Sequence, residues 1–182
     1  MSLTVDAGGL VAGIRYLASP NCDARPSGIG IDLLVIHNIS LPPGEFGGSA
    51  IIDLFMNRLD PAAHPYYQAI AHLEVSAHFL IRRDGELLQF VPCHKRAWHA
   101  GESAWRARER CNDYSIGIEL EGADDLPFAD IQYTVLLQLI PALRSRYPLL
   151  ETVGHSDIAP ARKTDPGPCF EWSRLREFLR PD

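Results

Sequence analysis

The stretch V-S-A-H-F-L-I-R-R-D-G-E-L-L-Q-F-V, from Val75 to Val91, constrains the fold more than any other part of this chain. Two apolar, β-rich runs flank Asp84-Gly85, a dipeptide suited to the positive φ angles of a tight hairpin turn. Two further runs read as strands. Residues 33–39 (L-L-V-I-H-N-I) are apolar and partly β-branched between loops, and residues 115–120 (S-I-G-I-E-L) alternate. Residues 11–17 suit a short strand. Helical spacing recurs over residues 49–59, where Ile51, Ile52, Phe55, Met56 and Leu59 share a face behind Ser49 as N-cap. A longer helix is expected from about Asp130, with Leu136, Leu139, Ile140, Leu143 and Tyr147 on one side. Pro141 should kink or interrupt it, because proline lacks an N–H and clashes with the preceding turn. A last helix from about Glu171 would turn Trp172, Leu175 and Leu179 inward. Strands and helices thus mix without a regular βαβ alternation, which predicts a mixed α/β fold: a central mixed β-sheet flanked by helices. With 182 residues and 46% hydrophobic content, the chain suits one domain spanning 1–182.

Charge and targeting signals narrow the function. A net charge of −6 without a basic run argues against nucleic acid as partner. Basic residues do collect at Arg106, Arg108 and Arg110, and again at Arg162 with Lys163, a pattern suited to a small anionic ligand. The N-terminus lacks a basic region followed by an apolar core, and no apolar run reaches 18 residues. A cytoplasmic protein is expected, with no membrane partner, no obligate protein partner, and Cys22, Cys93, Cys111 and Cys169 as reduced thiols.

The chemistry concentrates in G-H-S-D-I-A-P-A-R-K-T-D-P-G, residues 154–167. His155 stands ten positions before Asp165, with Pro160, Pro166 and a glycine breaking the backbone, so this segment should be a loop that folds back on itself. An imidazole and a carboxylate brought together this way need a third donor, and His37, ending the strand-like L-L-V-I-H, is the best placed. Two histidines and one carboxylate with an open fourth position form the ligand set of a catalytic zinc site. The same set also serves non-haem iron, where one histidine and the acid usually come from a single H-x-D/E step; His155-Ser156-Asp157 has that spacing, but the acid of the candidate set is Asp165, ten positions on. Glu119 lies in an apolar strand, where a carboxylate costs several kcal/mol without a partner or a role. Its plain reading is an outward-facing residue with Glu121; its functional reading is a proton shuttle beside a metal. Lys163 is either a solvated loop lysine or the cation that meets an oxyanion. His64, His72 and His94 suit solvated positions, His78 suits a hydrogen-bonded core position, and His99 either lines a groove or caps local structure.

The segments L-L-V-I-H-N-I-S, V-S-A-H-F-L-I-R-R-D-G, R-A-W-H-A-G, R-E-R-C-N-D-Y-S-I-G-I-E-L-E-G and G-H-S-D-I-A-P-A-R-K-T-D-P-G together resemble the zinc N-acetylmuramoyl-L-alanine amidases, a family shared with phage lysozyme-type amidases and peptidoglycan recognition proteins. The resemblance runs from about Val11 to Trp172 and falls within the branch that acts in peptidoglycan recycling. It implies one zinc ion per chain on His37, His155 and Asp165, with Glu119 and Lys163 as the catalytic pair. It further places Asn38, Trp98, His99, Arg110 and Asn112 in motifs that line the substrate groove, with Arg110 expected to pair with a substrate carboxylate. The implied substrates are soluble anhydro-muropeptides, cut between the lactyl carbonyl and L-alanine. A phage-like endolysin acting on intact wall and a non-catalytic peptidoglycan-binding module are the rival readings. One departure is Glu74, where relatives carry a basic residue directly before V-S-A-H.

Overall fold

A computed structural model describes residues 3–178. Ten strands follow in chain order: β1 (Arg15–Tyr16), β2 (Cys22–Ala24), β3 (Leu33–Ile39), β4 (Phe79–Ile81), β5 (Leu87–Gln89), β6 (Lys95–Ala97), β7 (Ala104–Trp105), β8 (Arg108–Glu109), β9 (Ser115–Glu121) and β10 (Glu151–Gly154). The helices are α1 (Ala50–Phe55), α2 (Pro65–Ile70), α3 (Asp130–Arg144) and α4 (His155–Ile158), with 3-10 turns at Cys111–Asp113 and Trp172–Phe178. Six strands form one sheet in the order β1-β5-β4-β9-β3-β10, mostly parallel, with the β4–β5 hairpin as its antiparallel pair. The expected mixed sheet with helices on it is what the chain forms.

Strand β9 shows how the sequence positions the site. Its even face, Ile116, Ile118 and Leu120, packs with Leu34 and Ile36 of β3 against Leu136, Leu139, Ile140 and Leu143 of α3. Alternation sends Ser115, Gly117, Glu119 and Glu121 to the opposite face. In register, His37 of β3 lies beside Glu119 of β9, so the two side chains leave the same side of the sheet. That side is covered as well: all seven residues of β9 are buried. The outward-facing reading of Glu119 and Glu121 is therefore incorrect. Glu121 accepts from the backbone N–H groups of Gly47 (2.7 Å) and Arg83 (3.0 Å), tying down the loop before α1.

Several elements differ from expectation. The hairpin loop is not a two-residue turn: the Gly85 N–H donates to Arg82 O and the Arg82 N–H to Glu86 O, and Gly85 alone takes a left-handed φ of 88°. This is a three-residue loop closed by glycine. Of residues 11–17 only Arg15–Tyr16 joins the six-stranded sheet; Val11 makes an isolated antiparallel bridge to Val5, and its N–H goes to the buried side chain of Gln89, which also donates to Gly9 O. Helix α1 stops at Phe55, and Ser49 makes no side-chain cap. Pro141 does not interrupt α3, which continues to Arg144. The last helix is 3-10 in character; Leu175 is fully buried, while Leu179 falls outside the described residues. Among the described residues no helix is long and apolar enough to cross a membrane.

Candidate active site

The parallel strands β3, β9 and β10 direct their carboxyl ends to one place, and a cleft of about 590 Å³ opens there. Ligands of open α/β sheets bind in this position, beyond the ends of the strands. His37 stands near the end of β3, and His155 directly follows β10 as the first residue of α4. The predicted fold-back is present, since the Ser156 N–H donates to Asp165 O at 2.9 Å. Its start is not loop but one helical turn, held by the Asp157 carboxylate on the Gly154 N–H.

This returns Asp165 to the two imidazoles. His37 Nδ1 and His155 Nδ1 lie 2.9 Å apart, and Asp165 Oδ2 lies 3.2 and 3.1 Å from them. A tetrahedral zinc with bonds of about 2.0 Å has ligand–ligand edges of about 3.3 Å, so this triangle fits its base. The remote ring nitrogens explain the orientation. His155 Nε2 meets Ala100 O at 3.1 Å, which requires the proton on Nε2 and leaves a lone pair on Nδ1. His37 Nε2 meets His99 Nδ1 at 2.9 Å, and His99 Nε2 meets Ser115 Oγ at 3.1 Å. His37 can donate to His99 and His99 to Ser115, which leaves the Nδ1 of His37 free to bind a cation. Burial pushes the His37 pKa down to about 4, against the opposing pull of Asp165, and so favours the neutral imidazole a metal needs. Burial acts to raise the Asp165 carboxyl, but the close approach of the His155 and His37 rings holds it below the usual carboxylate range.

Glu119 and Lys163 line the same cleft. Burial, then the neighbouring Asp165 charge, push the Glu119 carboxyl well above its ordinary value, with Lys163 opposing. Glu119 Oε2 is buried with no hydrogen-bond partner. An orphaned carboxylate oxygen facing a cleft marks a place where a bound molecule completes the bonding.

The N-acetylmuramoyl-L-alanine amidase family model matches residues 27–168. The chain is 57% identical over 175 residues to the 1,6-anhydro-N-acetylmuramyl-L-alanine amidase AmpD of Citrobacter freundii, covering 95% of this chain and 94% of that protein. It is 58% identical over 173 residues to AmpD of Escherichia coli K12, covering 94% of each. The chain belongs to the N-acetylmuramoyl-L-alanine amidase family. The amidase fold agrees: a crystal structure of a selenomethionine AmpD derivative superposes with a TM-score of 0.91 at 57% identity, covering 94% of this chain and 97% of that one. AmiD of E. coli, solved with its substrate anhydro-N-acetylmuramic acid-L-Ala-D-gamma-Glu-L-Lys, superposes with a TM-score of 0.61 at 30% identity, covering 99% of this chain and 67% of that one.

The other residues expected to line the groove of this amidase separate into two groups. Asn38, Trp98 and His99 line the cleft. Asn38 donates to Asp124 Oδ1 (2.6 Å) and Pro166 O (3.1 Å), bracing the loop that carries Asp165. Arg110 and Asn112 are not among the residues lining the cleft. Arg110 is exposed and pairs with Asp113, while Asn112 Oδ1 accepts the backbone N–H groups of His99 and Ala100. The basic residues have partners within the fold: Arg106 pairs with Glu151 and Arg108 with Asp32, and Arg162 donates to Ala100 O and Glu102 O. Each guanidinium found an acid or carbonyl within the fold. His78 is the core histidine expected, accepting from the Gly117 N–H at Nδ1 and donating from Nε2 to Lys95 O. Ser115 and Gly117 escaped notice in the sequence. The small and polar residues at alternate positions of S-I-G-I-E-L-E were the available signal, since a Cβ on Gly117 would stand 2.5 Å from the His99 ring.

Proposed function

We propose that this amidase is a cytoplasmic zinc enzyme of peptidoglycan recycling. It hydrolyses the amide between the lactyl group of 1,6-anhydro-N-acetylmuramic acid and L-alanine in soluble muropeptides, and residues 1–182 act as one domain. His37, His155 and Asp165 hold one zinc ion, which when bound supplies Lewis acidity to a water and to the amide carbonyl. The carboxylate of Glu119 takes the proton of the attacking water and hands it to the departing alanine nitrogen. A carboxyl raised by burial suits both directions of that transfer. The Lys163 ammonium offsets the negative charge that develops on the carbonyl oxygen. Asn38, Trp98 and His99 belong to the walls that receive the muropeptide.

The observation that carries this reading is the convergence of two imidazoles and a carboxylate within 3.2 Å, beside a buried carboxylate oxygen without a partner. Elemental analysis of metal-replete protein should give about one zinc per chain, sharply reduced in His37→Ala and Asp165→Ala. Release of free peptide should be far faster from soluble anhydro-muropeptides than from intact sacculi. Full zinc retention in both variants would sink the ligand assignment, and a preference for sacculi would replace recycling with wall lysis.

A further inference from the structure

We infer that Asn112 is a positioning residue of the metal centre, which holds both imidazoles in place through the dipeptide His99-Ala100; this rests on the reading of His37, His155 and Asp165 as the zinc donors. The outer nitrogens of the two imidazoles are bound by consecutive residues. His37 Nε2 meets the His99 ring at 2.9 Å, and His155 Nε2 meets the Ala100 carbonyl at 3.1 Å. Whatever holds this dipeptide holds both rings. Asn112 Oδ1 does so from within, accepting the N–H groups of His99 (3.2 Å) and Ala100 (2.8 Å). An amide oxygen has two lone pairs, so one side chain satisfies two successive donors.

Asn112 is itself anchored. It sits in the 3-10 turn Cys111–Asp113, and its carbonyl accepts from Nη1 of the half-buried Arg25 at 2.9 Å. The far side of the dipeptide is held too. Arg162 Nη2 donates to Ala100 O at 2.7 Å, Ser115 Oγ meets His99 Nε2, and the His99 ring lies where Gly117 has no Cβ. Without the Asn112 amide oxygen, two adjacent peptide N–H groups lose their acceptor and the dipeptide is held from its far side alone. Both metal-binding rings would then lose alignment together. Losing such an outer partner of a metal ligand typically costs about 10–100-fold in metal affinity.

The zinc dissociation constant of the full chain, measured by chelator competition, tests this directly, together with the thermal midpoint of the metal-free protein. Asn112→Ala should weaken zinc about 10–100-fold, and His99→Ala comparably. The double variant should lose less than the product of the two, because both act through one dipeptide. Asn112→Asp keeps an acceptor oxygen in place and should return affinity to within a few-fold of wild type. Wild-type zinc affinity in Asn112→Ala, or an Asn112→Asp variant as weak as the alanine, would overturn the proposal. If Asn112→Ala does not fold, Arg162→Ala loosens the same dipeptide from its exposed side and should also weaken zinc; unchanged affinity there overturns the proposal equally. His37→Ala in the same assay separates the two levels. If it keeps zinc, the donor set is wrong; if it loses zinc while Asn112→Ala does not, only the positioning role falls.

Discussion

Glu119 and Lys163 divide the work proposed for the cleft, and their substitutions should have separable signatures. Glu119 is buried, its Oε2 has no partner, and it shares a register position with His37. Glu119→Gln keeps shape and hydrogen-bonding capacity but removes the base. Zinc content should stay near one, while turnover falls by about 10²–10⁴, the usual range for a general acid–base group. Wild-type activity in this variant would assign the proton transfer elsewhere. Lys163→Ala should fold and keep its zinc, with turnover lower by about 10²–10³, the value of one oxyanion donor. A near-normal rate would mark the lysine as a solvated group. Arg110 marks the limit of residue-level reading. Its place in a substrate-groove motif suggested a carboxylate clamp; in the fold it is exposed, with Nε 3.2 Å from Asp113 three residues on.

Helix α3 shows tertiary packing overriding a local signal. Pro141 removes the N–H that would meet the Leu137 carbonyl, and its ring crowds the preceding turn. The helix nevertheless continues, because Leu139, Ile140 and Leu143 around it are all fully buried against the sheet. Pro141 itself is exposed, and Leu137 is 37% exposed, so water can reach the freed carbonyl. Pro141→Ala should therefore stabilise the protein by about 1–2 kcal/mol, the helical gain less the flexibility restored to the unfolded chain. Chemical denaturation measures this, and an unchanged or lower midpoint would show that the helix bears no cost from the proline. The two clearest strand patterns were legible as elements because their periodicity is local. The hairpin turn was legible only in place, since whether Asp84 or Gly85 alone takes positive φ depends on the twist the paired strands impose.

Across the whole molecule, buried neutral histidines link stability to pH. Burial pushes His78 down to about 3, so the folded chain keeps this ring neutral while the unfolded chain protonates it near 6.5. The folded pKa is the lower one. Its contribution is therefore fully present above pH 6.5 and is lost progressively as pH falls toward 3. Between pH 6.5 and pH 5 this amounts to about 2 kcal/mol for His78 alone. Equilibrium unfolding of the metal-free protein should show that loss. His78→Gln should start less stable at pH 7, by about 1–3 kcal/mol, and show a shallower acid slope. An identical slope in the variant would assign the acid sensitivity to other groups.

Local periodicity and the spacing of motifs were enough to determine strands β3 and β9, the hairpin pair and the apolar face of α3, and to single out His37, His155 and Asp165, which the fold brings together. These features depend on residues close in sequence or on chemistry carried by a side chain itself. What the neighbours of each side chain would be was decided only by the tertiary structure. Of the three arginines near residue 108, Arg106 meets Glu151 and Arg108 meets Asp32, partners that lie far from them in sequence. Asn112 and Arg162, far apart in sequence, became supports of one dipeptide because β9, the 3-10 turn and the 154–167 segment meet at the sheet's end. Polar side chains settle on whichever partner the folded backbone brings within about 3 Å, and sequence spacing carries no information about that distance.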